Sequence, residues 1–366
     1  MPANVTAYGF VELKDLFSQT VQQINVQTIQ TAVEQSLEIH SRQVTELLGS
    51  MVQPTTDFSR RYQLPSGGSL QPLDEKGNPI EVQPSGFYDV AFPIQGGGTA
   101  WGTDRISNAM MTVADANRYT VDALDRDVDW MRRHILAALF TNTTWTYADK
   151  QYGNLTIQPL ANNDSVVFLR KNGTIATDNH FLAQAAAISD AANPFGAIYA
   201  ELDEHPSNSG PYVAYVPTNL VASIQLLTAL DEPPDVSIAY ADTAQTLAEV
   251  QYIHDETSYG GAMVGFGDRV VGKANGVWII EWGALPDNYI IAHARGANDV
   301  LGMRQYPAAS IQGLFPEFFS PDGNLKSFRS IRFAGFGALN RVGACIQRIG
   351  NGSYAIPTGF TAPLAA

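Results

Sequence analysis

Histidines next to carboxylates are the residues here most able to hold a metal or move a proton near neutral pH. The chain has six histidines, His40, His134, His180, His205, His254 and His293. Two of them sit in acidic triplets, Asp203-Glu204-His205 and His254-Asp255-Glu256, whose groups are ordinary metal ligands. Adjacent side chains on a loop seldom point at one ion, so both triplets are expected to be solvated loops. The only cysteine, Cys345, can neither close an intrachain disulfide nor build a zinc site by itself. No G-x-S-x-G elbow, H-E-x-x-H pair or G-x-x-x-x-G-K-[ST] phosphate loop occurs. Gly96-Gly97-Gly98 lacks the Lys and hydroxyl of a phosphate cradle and reads as a flexible joint. Gly265-Phe266-Gly267 lacks the third glycine of a dinucleotide fingerprint. The expectation is a chain with no catalytic residue, no cofactor and no metal. Its chemistry would be packing.

Bulk composition points the same way. Twenty-two basic against 36 acidic residues give a net charge of −14. Nucleic-acid affinity comes largely from clustered Lys and Arg, and no such cluster exists. Aromatic residues are therefore expected in cores and interfaces rather than on a base-stacking platform. At 366 residues, 45% of them hydrophobic, the chain can fill two or three cores. The start lacks a basic segment followed by an apolar core, so no signal peptide is expected, and no apolar run is long enough to span a bilayer. The six Asn-x-Ser/Thr triplets then read as loop composition.

The element that must position everything else is a helix from about Thr112 to Phe140. Val121, Leu124, Val128, Met131, Ile135 and Leu139 recur at steps of three and four, one stripe along a helix. Asp115, Asp122, Asp125, Asp127 and Asp129 fall on its polar faces. Thr112 suits the cap and Asp115 the first turn, while Arg132, Arg133 and His134 lie toward the carbonyl end. At 1.5 Å per residue it would run roughly 40 Å.

Before this strut, Val11–Leu48 reads as helix ended by Gly49 and Pro54, with no charge from Leu16 to Val33. A water-facing helix is usually laced with Lys and Glu, so a second face carrying Phe17, Val21 and Ile24 is expected to meet protein, such as another copy of the chain. Gln53–Asp104 holds six prolines and eight glycines. Short alternating segments at Phe58–Leu64, Ile80–Gln83 and Tyr88–Ile94 flank a tip at Asp74-Glu75-Lys76-Gly77-Asn78-Pro79. A lone hairpin is marginal in water, so an arm with so few apolar positions is expected to borrow a core from a neighbour. Arg60, Arg61, Lys76, Phe87, Tyr88, Phe92 and Trp101 are the expected inter-subunit contacts on it.

After the strut, strands are expected at Thr144–Ala148, Leu155–Gln158, Val166–Arg170 and Thr174–Ala176, the last two joined by an Asn172-Gly173 turn. An Ala-rich helix is expected over Phe181–Ala192, then a strand at Tyr212–Val216 and a helix from Pro217 to about Leu230. Thr243–Gln251 reads as a short helix, with strands at Val264–Phe266, Arg269–Lys273, Val277–Trp282 and Tyr289–Ala294. Asp231-Glu232-Pro233-Pro234 marks an exposed loop. Ser310–Phe315 and one long glycine-punctuated run from Phe328 to Ile349 close the chain and are expected to pack back on the strut.

This order of elements resembles the major capsid proteins of tailed bacteriophages, the Hong Kong 97-type fold, most specifically at Phe87–Phe140 and Phe333–Ile346. The resemblance implies an α+β major-capsid-type fold. Residues 1–52 would be an N-terminal helical arm and 53–104 an extended β-hairpin loop. A peripheral domain at 105–178 would carry the long spine helix, an axial α/β domain would span 179–300, and return strands and a tail would occupy 301–366. It further implies a non-enzymatic shell protein that self-assembles into hexamers and pentamers around double-stranded DNA in the virion, assembled in the bacterial cytoplasm. Portal, scaffolding and decoration or cement proteins would be its partners. Some members crosslink a loop Lys to a neighbour's Asn. Lys76 and Asn340 stand at corresponding places, but no acidic residue matches the catalytic role. The family's cleaved scaffolding domain is expected to be absent, so that assembly would need a separate scaffold or none. The alternatives are an encapsulin-like compartment, a phage tail or baseplate protein, and, least favoured, an enzyme built on 180–300.

Overall fold

The computed structural model describes residues 33, 36–37, 51–65, 73, 75–78, 86–103, 110–231, 269–296, 299–319 and 326–364. Phe17, Val21, Ile24, Thr243–Gln251, Val264–Phe266, His254-Asp255-Glu256 and most of the Val11–Leu48 helix lie outside them. So does the Trp101 side chain. Val33, Ser36 and Leu37 are helical, and Val33 and Leu37 are buried with Leu314 and Leu124.

The elements follow in chain order. The first four strands are β1 (Val52–Thr55), β2 (Ser59–Gln63), β3 (Phe87–Ala91) and β4 (Gln95–Thr103). The long helix α1 (Val113–Phe140) follows, then β5 (Trp145–Asp149), β6 (Gly153–Ile157), β7 (Phe168–Leu169), β8 (Ile175–Ala176) and β9 (Phe181–Gln184). Next come α2 (Phe195–Asp203), β10 (Tyr212–Val216), α3 (Thr218–Ile224) and β11 (Leu230–Asp231). The chain closes with β12 (Arg269–Ala274), β13 (Val277–Glu281), β14 (Tyr289–Ala294), β15 (Leu301–Arg304), β16 (Leu314–Phe319), β17 (Lys326–Ala338) and β18 (Ala344–Ile349). Contacts divide the chain into two units.

The first unit contains Gln95–Arg132 and Tyr306–Ala334. In it, β17 is paired antiparallel with β4 on one side and β16 on the other. Helix α1 starts as its sequence requires. Asp115 N–H donates to Thr112 Oγ1 at 3.2 Å and Thr112 N–H to Asp115 Oδ2 at 3.2 Å, a reciprocal cap. The buried stripe of this half is Ala116, Thr120, Ala123, Asp127 and Met131, and Val121 is 47% exposed. The apolar stripe read from sequence is thus rotated, because a charged residue occupies a core position. Arg332 of β17 donates to Asp127 through Nε at 2.5 Å and Nη2 at 2.7 Å, with both side chains buried. A bidentate pair removes most of the cost of burying either charge alone. The glycine triplet is a second correction. A Cβ on Gly97 would lie 2.6 Å from Trp130 Nε1 and one on Gly96 2.8 Å from Phe333 Cε1. These glycines let a strand slide under two aromatic rings, so they are a packing device and not a joint.

The second unit contains the described residues of Thr45–Ile94, Arg133–Gln305 and Gly335–Ala366. Its centre is a seven-stranded mixed sheet in the order β11-β12-β13-β10-β14-β18-β9. Every residue of β10 and of β14 is buried, as continuous Val, Ile, Tyr and Ala runs predict for strands covered on both faces. Phe195, Ile198 and Leu202 of α2 and Leu220, Val221 and Ile224 of α3 complete this core. The end of α1 also belongs here. Phe140 meets Tyr289 edge-on at 5.5 Å and Phe360 at 5.8 Å.

Three expectations fail in this unit. Phe181–Ala192 is not helical: β9 pairs parallel with β18, and a strand edge that needs a partner overrides Ala helix propensity. The closing run is not continuous. It breaks after Ala338, where the buried Arg341 turns to donate to Pro159 O at 2.7 Å and Asp164 Oδ2 at 2.7 Å. Its second half, β18, enters the seven-stranded sheet between β14 and β9. Asn340 consequently lies in a turn and not in a strand. The helix after Pro217 is also shorter than expected, ending at Ile224 with Leu226 exposed. The Asn172-Gly173 turn is as expected, with Gly173 at φ +82°.

Candidate functional site

The hairpin arm is built on the pairing of β2 with β3, Arg61 opposite Asp89 and Tyr62 opposite Tyr88. Alternation divides its two faces. On one, Arg61 donates to Asp89 through Nε at 2.7 Å and Nη2 at 2.8 Å, and its guanidinium lies 3.9 Å from the Phe87 ring centroid. On the other, Tyr62 and Tyr88 pack against Val90, Phe92 and Leu339. Burial pushes the Tyr88 hydroxyl up to about 12.

The base of the arm therefore has a core within its own chain, which corrects the expectation that it has none. Phe92 is completely buried and has no surface left for a neighbour. Arg60 is engaged locally, with Asp57 Oδ2 at 3.2 Å and Gln53 Oε1 at 3.2 Å. The exposed part is distal. Residues 75–78, among them Lys76, form an exposed turn, and Leu73 and Phe87 are 61% and 58% exposed. The described residues do not bring Lys76 and Asn340 together: Asn340 lines a cavity at the arm base, and Lys76 does not.

That cavity, about 720 Å³, is walled by Tyr62, Tyr88 and Leu339 on the arm side and by Phe168, Leu169 and His205 opposite. Beneath it lies a cluster the sequence reading missed. His205 is not solvated as expected: it and His180 are fully buried, with Nε2 atoms 3.3 Å apart and rings stacked at 5.4 Å. Asp178 Oδ2 is 3.0 Å from His205 Nε2, and Glu204 Oε1 is 3.6 Å from it. Arg170 reaches Glu204 Oε2 at 3.1 Å and Asp178 Oδ2 at 3.4 Å.

Asp178 and His180 precede β9, Glu201 lies on α2, and Glu204 and His205 follow that helix. The visible signal was a pair of spacings, Asp178-x-His180 and Glu201-x-x-Glu204-His205. Neither is informative until the fold joins them. Burial drives the Glu201 carboxyl up to about 8 and Glu204 to about 7, with Asp178 adding to both. Burial pulls His180 down to about 4. Burial also opposes ionisation of Asp178, but hydrogen bonds from His205 and Glu204 outweigh it and hold that carboxyl below its ordinary range.

In sequence the chain matches no family model and no curated protein. In structure it superposes on a protein of Mycobacterium phage Patience with a TM-score of 0.65 at 17% identity, covering 99% of this chain and 100% of that one. A chain of the bacteriophage PhiM1 mature capsid matches with a TM-score of 0.49 at 9% identity, over 83% of this chain and 87% of that one. The fold is of the phage capsid type. Another chain of similar course comes from the holo-SrpI encapsulin complex of Synechococcus elongatus PCC 7942, at a TM-score of 0.41 and 11% identity, over 81% and 84% of the two chains. Within this capsid-type fold, the arm has an exposed tip, and the histidine–carboxylate cluster gathers buried and half-buried titratable groups close together.

Proposed function

We propose that the chain is a major capsid protein whose copies assemble as hexamers and pentamers into an icosahedral head shell around viral double-stranded DNA. The single observation that carries this reading is a fold likeness to a phage protein over the full length of both chains. The role is structural: the shell is held by many modest contacts made irreversible in sum by a closed symmetric lattice. The distal arm, with Leu73, Lys76 and Phe87 exposed, is the part that reaches a sibling. The acidic balance suits a container that encloses DNA without gripping it. Portal, scaffolding and cement proteins are its expected partners in a virion assembled in the host cytoplasm.

Size-exclusion chromatography of the purified chain followed by negative-stain electron microscopy tests the proposal. Shells or hexamer-sized rings are expected. Open tubes would instead favour a tail protein, shells packed with a co-purifying enzyme an encapsulin-like compartment, and a monodisperse monomer would exclude all three.

A further inference from the structure

Each ring of the buried histidine pair is fixed by the nitrogen that faces away from the other. His180 Nδ1 lies 2.8 Å from Ala344 O and His205 Nδ1 3.1 Å from Leu169 O. A carbonyl only accepts, so both Nδ1 atoms carry the proton. The two Nε2 atoms then face one another across 3.3 Å, with Asp178 Oδ2 3.0 Å from that of His205. Three potential ligand atoms thus converge, a grouping that a proton on His205 Nε2 or a metal ion can hold together. A tetrahedral site with metal–ligand bonds of about 2.0–2.1 Å has ligand–ligand edges of about 3.3 Å. The 3.3 Å Nε2–Nε2 and 3.0 Å Oδ2–Nε2 separations are of that size, and the three atoms all lie within 4.8 Å of one another. Glu204 Oε1, 3.6 Å from His205 Nε2, is buried and has no hydrogen-bond partner, which supplies a fourth donor. A ring Nδ1–H held by a backbone carbonyl is the usual outer support of a metal-binding histidine.

The geometry points to a binding site for a divalent transition-metal ion of the Zn²⁺ class, held by Asp178, His180 and His205 with Glu204 as the fourth ligand. Two imidazoles select such an ion over Ca²⁺ or Mg²⁺, which prefer oxygen. The ion would staple three elements: the base of the β7–β8 hairpin through Leu169, the edge strand β9, and the end of α2. His205 also borders the cavity at the arm base. This site is independent of the shell reading, since it lies wholly within one unit of one chain.

The test uses the full-length chain, stripped with EDTA, dialysed and titrated with Zn²⁺ and separately with Co²⁺. One equivalent of Zn²⁺ should bind per chain and raise the melting temperature, an effect reversed by EDTA. Co²⁺ should give the intense visible bands of a tetrahedral site. Asp178→Asn and His205→Gln should lose the Zn²⁺-dependent rise, each compared with its own melt in EDTA. No rise and no tetrahedral Co²⁺ bands in the wild type would overturn the site, as would full binding by both variants. If the variants fail to fold, the wild-type Co²⁺ spectrum decides alone.

Discussion

At the residue scale, an acidic chain spends several of its few arginines inside. Arg304, Arg332 and Arg341 are all buried, each against a carboxylate and, for Arg304 and Arg341, a backbone carbonyl as well. The Thr112 cap was legible because its partner is three residues away. The role of Asp127 was not, since Arg332 lies 205 positions along the chain. Asp127→Ala should destabilise the protein by about 3–5 kcal/mol in a denaturant melt, because it leaves a buried guanidinium uncompensated. The double variant Asp127→Leu with Arg332→Met should recover most of that loss. A single variant within about 0.5 kcal/mol of wild type would show the pair is unimportant.

His293 gives a pH dependence of stated sign. It is buried and stacked on Tyr215, and burial together with Arg295 holds its pKa near 3 against an ordinary 6.5. Between those values the unfolded chain binds more protons than the folded one. The stability tied to a neutral His293 is therefore full above about pH 6.5 and is lost as pH falls toward 3, by on the order of 1 kcal/mol per pH unit. His293→Phe should shrink the acid-induced drop in melting temperature. An unchanged drop would remove His293 as its cause.

At the element scale, long periodic or sharply punctuated segments were readable. The α1 helix, the β5–β6 pair, the Asn172-Gly173 hairpin and the β12–β14 strands all fall close to where pattern places them. The misses share one cause, a long-range partner outweighing local preference. The Phe181–Ala192 segment carries Ala helix propensity but supplies an edge for β18, and Gly96-Gly97-Gly98 carries flexibility but lies beneath Trp130 and Phe333. The arm was half legible. Its tip is exposed, whereas Tyr62, Tyr88 and Phe92 found a core through Leu339, some 250 residues on. Because Leu64 N–H donates to Gly86 O at 3.0 Å, the hairpin can be closed there. Replacing residues 66–85 with a short Asn-Gly turn should leave the melting temperature within a few degrees and abolish assembly. Normal particles from that variant would remove the distal arm from the assembly contacts.

At the scale of the whole molecule, the fold class was readable as an order of elements, and the histidine–carboxylate cluster was not, because its ligands are gathered by strand pairing and not by spacing. Among the described residues, the exposed arm tip is the surface on which the proposed contact between copies rests. The most direct measurement is a cryo-electron microscopy reconstruction of the particles the purified chain forms. The capsid reading predicts closed shells of hexamers and pentamers, with the 66–86 arm resting on an adjacent subunit. Particles in which that arm folds back on its own chain, or a preparation that stays monomeric, would contradict it.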